Sequence, residues 1–96
     1  MLYAVICTDK PESVDIRMEN RPAHLEFLKG LGDRLKAGGP FTDAEGSPIG
    51  SLIVIEAEDI VEAKKIMAED PYAKAELFSK VDIRGWNWII KNPEAE

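Results

Sequence analysis

Leu2-Tyr3-Ala4-Val5-Ile6-Cys7-Thr8 is apolar on both parities, with Leu2, Ala4 and Ile6 on one face of a strand and Tyr3, Val5 and Cys7 on the other. Such a strand is covered on both sides, unlike the half-solvated strand of a simple hairpin. Ser51 to Ala57 repeats the pattern, Leu52 and Val54 opposing Ile53 and Ile55. These two strands form the frame around which the rest of the chain is arranged.

After the first strand, Asp9-Lys10-Pro11-Glu12 reads as a helix start, with Asp9 as cap, Pro11 in the first turn and Glu12 reaching back. Pro22 lacks an N–H and predicts a break, hence a short helix near 11–19 and a longer one from about 22 to 36. Leu28, Leu31 and Leu35 form the longer helix's stripe. Gly38-Gly39-Pro40 stops that helix, residues 40–43 read as a short strand, and Glu45-Gly46-Ser47-Pro48 as a turn. Asp59-Ile60-Val61-Glu62 has capping-box spacing and opens a helix to about Glu69, with Ala63, Ile66 and Met67 inward. Asp70-Pro71 ends it and caps a further short helix reaching Phe78. Val81 to Ile90 is the last strand, with Gly85 marking a bulge or change of face, and 91–96 a polar, frayed tail.

The order β-α-β-β-α-β predicts an α+β fold of the ferredoxin-like kind, an antiparallel sheet with its helices on one face. Two helices cover only one face. The other, equally apolar, predicts a second copy of the chain packed against it and hence a homodimer.

The length of 96 residues is that of a single domain, 1–96. Twelve basic against eighteen acidic side chains give a net charge of −6, which argues against a nucleic-acid partner. No apolar run approaches a membrane span, so no membrane partner is expected. Cys7 is alone and the N-terminus carries no basic segment before its strand, the pattern of an unprocessed cytoplasmic protein. One histidine and one cysteine cannot supply a zinc site by the usual spacings, and no phosphate loop or nucleophile elbow is present. The expectation is no metal, no cofactor and a small-molecule ligand.

His24, the single histidine, shares the stripe of Leu28, Leu31 and Leu35. There it is either a core residue bonded to a carbonyl or a general acid–base group. Asp70 follows Ile66 and Met67 at helical spacing and also faces inward. As a residue before proline it is a natural N-cap, and one oxygen can cap while the other orients an imidazole. Arg17 lies seven residues before His24 and can grip an anionic group, although a break at Pro22 would disturb that phase and a surface position would serve as well. Gly39 and Pro40 offer backbone near a ligand or merely a turn. Ser51 opens a central strand, and Tyr72 is a hydroxyl donor or a packing aromatic. Trp86 and Trp88 share a strand face that fits a core or a dimer interface.

Asp9-Lys10-Pro11, Arg17, Arg21-Pro22-Ala23-His24-Leu25, Gly38-Gly39-Pro40, Gly50-Ser51 and Asp70-Pro71-Tyr72 together resemble the YciI-like family over nearly the whole chain. The resemblance implies a dimeric ferredoxin-like α+β barrel with a His–Asp active site in a cleft of each subunit, here His24 and Asp70. It also implies similarity of fold to muconolactone isomerases, and a dehydrochlorinase of chlorinated hydroxyquinols counts among the family's members. The function expected is a cofactor-independent lyase or isomerase acting on a small cyclic, anionic metabolite. Arg17, Gly39, Pro40, Ser51 and Tyr72 would bind it. The alternatives are a non-catalytic ligand-binding or accessory module using the same cleft, and an oxygenase sharing only the fold.

Overall fold

In the computed structural model, which describes residues 1–94, β1 (Leu2–Asp9) lies inside a four-stranded sheet because both of its faces are apolar. It pairs antiparallel with β3 (Pro48–Glu56) on one side and β4 (Phe78–Trp86) on the other. β2 (Leu35–Thr42) completes the order β2-β3-β1-β4 by pairing antiparallel with β3. The helices are α1 (Val14–Gly30), α2 (Ile60–Ala68) and the single turn α3 (Pro71–Lys74). This is the expected ferredoxin-like α+β arrangement. No helix among the described residues is long and apolar enough to cross a membrane.

The covered face of the sheet brings Tyr3, Val5 and Cys7 of β1 against Ile55, Ile53 and Ser51 of β3. With Leu31, Ala57, Ala63 and Met67 the apolar members of this row form the core. α2 begins as expected: the Asp59 carboxylate accepts from the Glu62 amide at 2.8 Å.

Several expected boundaries move. Pro22 does not divide the first helix; α1 runs through it without interruption. Pro22 and Met18, whose carbonyl loses its partner, are both exposed, so the lost bond falls on the solvent side. α1 starts after Ser13, and Asp9 belongs to β1 rather than to a cap. The helix ends at Gly30 and not near residue 36, because Gly32 adopts φ +59°, the left-handed conformation that terminates helices. Leu31 is buried, but Leu35 belongs to a strand, and with Leu28 it is only partly buried. Gly38-Gly39-Pro40 is no helix stop: it lies within β2, an edge strand, where proline's missing donor is tolerated.

β3 starts at Pro48, ahead of the expected Ser51. β4 starts and ends earlier than expected, so Trp88 lies beyond the strand, and it packs on Trp86 with ring centroids 5.5 Å apart. Gly85 pairs regularly with Tyr3; the β1–β4 register shifts at Thr8/Asp9 instead. The expectation of a frayed tail over 91–96 lies partly outside the described residues. Residues 91–94 form neither helix nor strand, and Glu94 meets Lys36 at 2.9 Å.

Candidate active site

Because α1 is continuous, Arg17 and His24 lie seven residues apart on one helical face, and they are its two buried residues. That face meets α3 and the end of the sheet where β1 and β3 carry Asp9 and Ser51. The inner side of α1 is therefore polar at its points of deepest contact.

His24 Nδ1 stands 2.8 Å from Asp70 Oδ1, with Asp70 completely buried. Asp70 is also the N-cap of α3, and the oxygen facing the imidazole is the one that accepts the Tyr72 amide, at 2.9 Å. The expected division of labour between its two oxygens is thus not what forms. Oδ1 makes both bonds, and Oδ2 is buried without a partner among the described residues. An ionised carboxylate can only accept, so opposite an ionised Asp70 the hydrogen sits on Nδ1, and in the neutral imidazole that tautomer puts the lone pair on Nε2. Nε2 makes no hydrogen bond within the described residues.

Tyr72 fixes the ring plane. Its phenol stacks on the imidazole with centroids 3.9 Å apart and an interplanar angle of 13°. Phe78 meets the phenol edge-on, and the Arg17 guanidinium carbon lies 4.6 Å from its centroid. Burial pushes the Tyr72 phenol above its ordinary pKa, against the opposing charges of Arg17 and Arg21, so the hydroxyl stays protonated at neutral pH.

Arg17 is held by Asp9 through both carboxylate oxygens, at 2.7 and 2.9 Å, and its Nη2 also donates to Ser51 Oγ at 2.9 Å. Burial works against the cation, but the bond and charge of Asp9 outweigh it, so Arg17 is even more firmly protonated than usual. This is a closed, buried ion pair rather than the surface arginine that was the alternative.

His24, Arg17, Gly39, Pro40, Ser51 and Tyr72 all line one cavity of about 310 Å³ between α1 and β2; Asp70 stands behind it. Met18, Leu25, Leu28 and Ile53 give it an apolar wall, and Gly46 and Pro48 of the β2–β3 hairpin close one end. A second cavity of similar size, beside α2 and β4, is lined by Cys7, Met67, Phe78 and Val81 and offers no such acid–base pair. Asp9 is a site residue for which the sequence carries no site signal. Asp9 looked like a cap, although strand parity places it with Cys7 on the covered face. Arg21, on the same stretch of α1, lines the cavity beside Arg17 and His24.

The class of protein is that of the ferredoxin-like α+β folds, here with a buried imidazole–carboxylate contact beside a cavity. The chain belongs to the family of the YCII-related domain, which matches residues 1–87. It is 32% identical to protein YciI of Escherichia coli O6:H1, over 94% of this chain and the whole of that protein. It is also 32% identical, with a TM-score of 0.85, to 5-chloro-2-hydroxyhydroquinone dehydrochlorinase from Burkholderia phenoliruptrix AC1100, solved in complex with 2,5-dihydroxybenzoquinone. That match covers 91% of this chain and 94% of the dehydrochlorinase. An antibiotic biosynthesis monooxygenase matches at 16% identity and a TM-score of 0.56, a likeness of fold alone.

Proposed function

We propose that this protein is a small cofactor-independent acid–base enzyme, a lyase or isomerase of the dehydrochlorinase kind, working as a homodimer on a small cyclic, anionic metabolite. The single observation behind this reading is the 2.8 Å contact of His24 Nδ1 with Asp70, which leaves Nε2 as a base beside the cavity. Kinship at 32% identity with an enzyme that acts on a hydroxylated ring supports the same class.

In this reading His24 takes a proton from the bound ring at Nε2. Asp70 stabilises the imidazolium without itself receiving the proton, and His24 then returns the proton to another ring atom or to the leaving group. Tyr72 holds the imidazole plane. Arg17 shapes the wall through Asp9 and Ser51, and Gly39 and Pro40 supply the opposite side. Acid–base help of this kind contributes about 10²–10⁴-fold, and positioning in the cavity supplies the rest.

The test is turnover of 5-chloro-2-hydroxyhydroquinone and of unchlorinated hydroxylated ring acids, followed by chloride release and by absorbance. His24→Gln is preferred to His24→Ala, because deleting the imidazole strands a buried carboxylate, which costs about 3–5 kcal/mol. Turnover in the wild type should fall by about 10²–10⁴-fold in His24→Gln with ligand binding retained. Wild-type binding of these rings without turnover, tolerated by His24→Gln, would make the protein a ligand-binding module instead.

A further inference from the structure

We infer that Arg21, rather than Arg17, reads the charge of the ligand, and that the ligand is a flat ring with an anionic oxygen directed at the Arg21 guanidinium. The inference rests on the proposed use of this cavity and assigns its charge selectivity.

Among the described residues, three cationic or potentially cationic side chains line the cavity, and no Asp or Glu does. Arg17 is spoken for: both oxygens of Asp9 lie against it, and its Nη2 is shared with Ser51. The pair is neutral as a whole, and the Nε and Nη2 donors of Arg17 are committed to protein although its side chain lines the cavity. His24 likewise has a carboxylate on its Nδ1. Arg21 differs. Its side chain is exposed, and among the described residues it has neither a hydrogen bond nor an ion pair. It stands four residues after Arg17 and three before His24, so all three fall on neighbouring positions of one helix surface. Its charge also reaches the Tyr72 phenol that stacks on His24.

A net charge of −6 repels anions at long range. A ligand anion therefore needs a local, unspent cation, and Arg21 supplies one roughly a helical turn from the base. Planar guanidinium matches a carboxylate or a ring enolate by paired N–H donors. The apolar wall of Met18, Leu25, Leu28 and Ile53 then takes the ring itself.

The experiment is an NMR titration of the isotope-labelled chain with sodium benzoate, and in parallel with benzyl alcohol as an uncharged ring of like size. Benzoate should shift the Arg21 side-chain and His24 ring signals together and saturably. Arg21→Gln should weaken benzoate binding about tenfold or more and leave benzyl alcohol unchanged, with Arg21→Lys intermediate. No saturable benzoate shift in the wild type, or equal benzoate affinity in Arg21→Gln, overturns the assignment. Failure of the acid–base reading shows differently, as binding that depends on Arg21 with no turnover. Turnover whose KM for an anionic ring is indifferent to Arg21→Gln refutes the charge assignment and leaves the catalytic reading standing.

Discussion

Cys7 lies on the covered face of β1, where burial first, and then the negative charge of Asp70, push its thiol from 9.0 up to about 12. A thiol that ionises later in the folded chain than in the unfolded one binds more protons when folded. Stability is therefore fully present below pH 9 and drains away as pH rises from 9 toward about 12. Denaturant midpoints measured across this range should fall in the wild type with a steeper alkaline slope than in Cys7→Ala, whatever the cavity in that variant costs at neutral pH. Equal slopes would mean the thiol does not titrate late. For the same reason, iodoacetamide at pH 8 should label Cys7 only after unfolding. Asp70 and His24 were legible as an inward-facing pair from helical spacing alone. That both bonds fall on one Asp70 oxygen was not, because it depends on how α3 turns beneath α1.

At the scale of elements, the order of strands and helices was readable because each has its own period, and the errors collected where a local signal met tertiary context. Pro22 carries a strong breaking signal, but its cost is small where the freed carbonyl faces water, so the continuous helix prevails. The true stop, Gly30-Leu31-Gly32, was hidden by Leu28, Leu31 and Leu35, whose spacing imitates one stripe although Leu35 is in β2. Gly50 shows a constraint of a different origin. A Cβ there would press into the Cys7 carbonyl oxygen across the β1–β3 ladder and against the Phe41 ring. The neighbouring residue is Ser51, which holds Arg17. Gly50→Ala must open that ladder, at about 1–3 kcal/mol by analogy with overpacked cores, and should loosen the Arg17 site with it. Thermal unfolding and the loss of the Arg17 side-chain N–H signals check both. An unchanged Tm would show that the strands part there at no cost.

At the scale of the whole molecule, the sheet has one face under the helices and one without them. The face without helices carries Leu2, Ala4 and Ile6 of β1 and Leu52 of β3, by the register of their pairing, with Val54 on the same face already buried within the chain. Leu52, Phe41 and Trp86 are 38%, 41% and 42% exposed, and Ile89 and Ile90 beyond β4 are still more so. Charge enters this surface at its margins, through Glu56 opposite Leu2 on β3 and through Lys80 and the Asp82–Arg84 pair on β4, so the apolar area centres on Ala4, Ile6 and Leu52. A two-fold axis over such a surface lets one patch cover its own copy, which no lateral edge contact does as completely. Light scattering at micromolar concentration should therefore give twice the 10.7 kDa of one chain. Leu52→Glu places a charge where the two faces would meet and leaves the core row of Ile53 and Ile55 untouched, so it should yield a folded monomer. A wild-type protein that stays monomeric at these concentrations would mean that the Leu52 face is soluble as it stands, and that the cavity beside His24 is complete within a single chain.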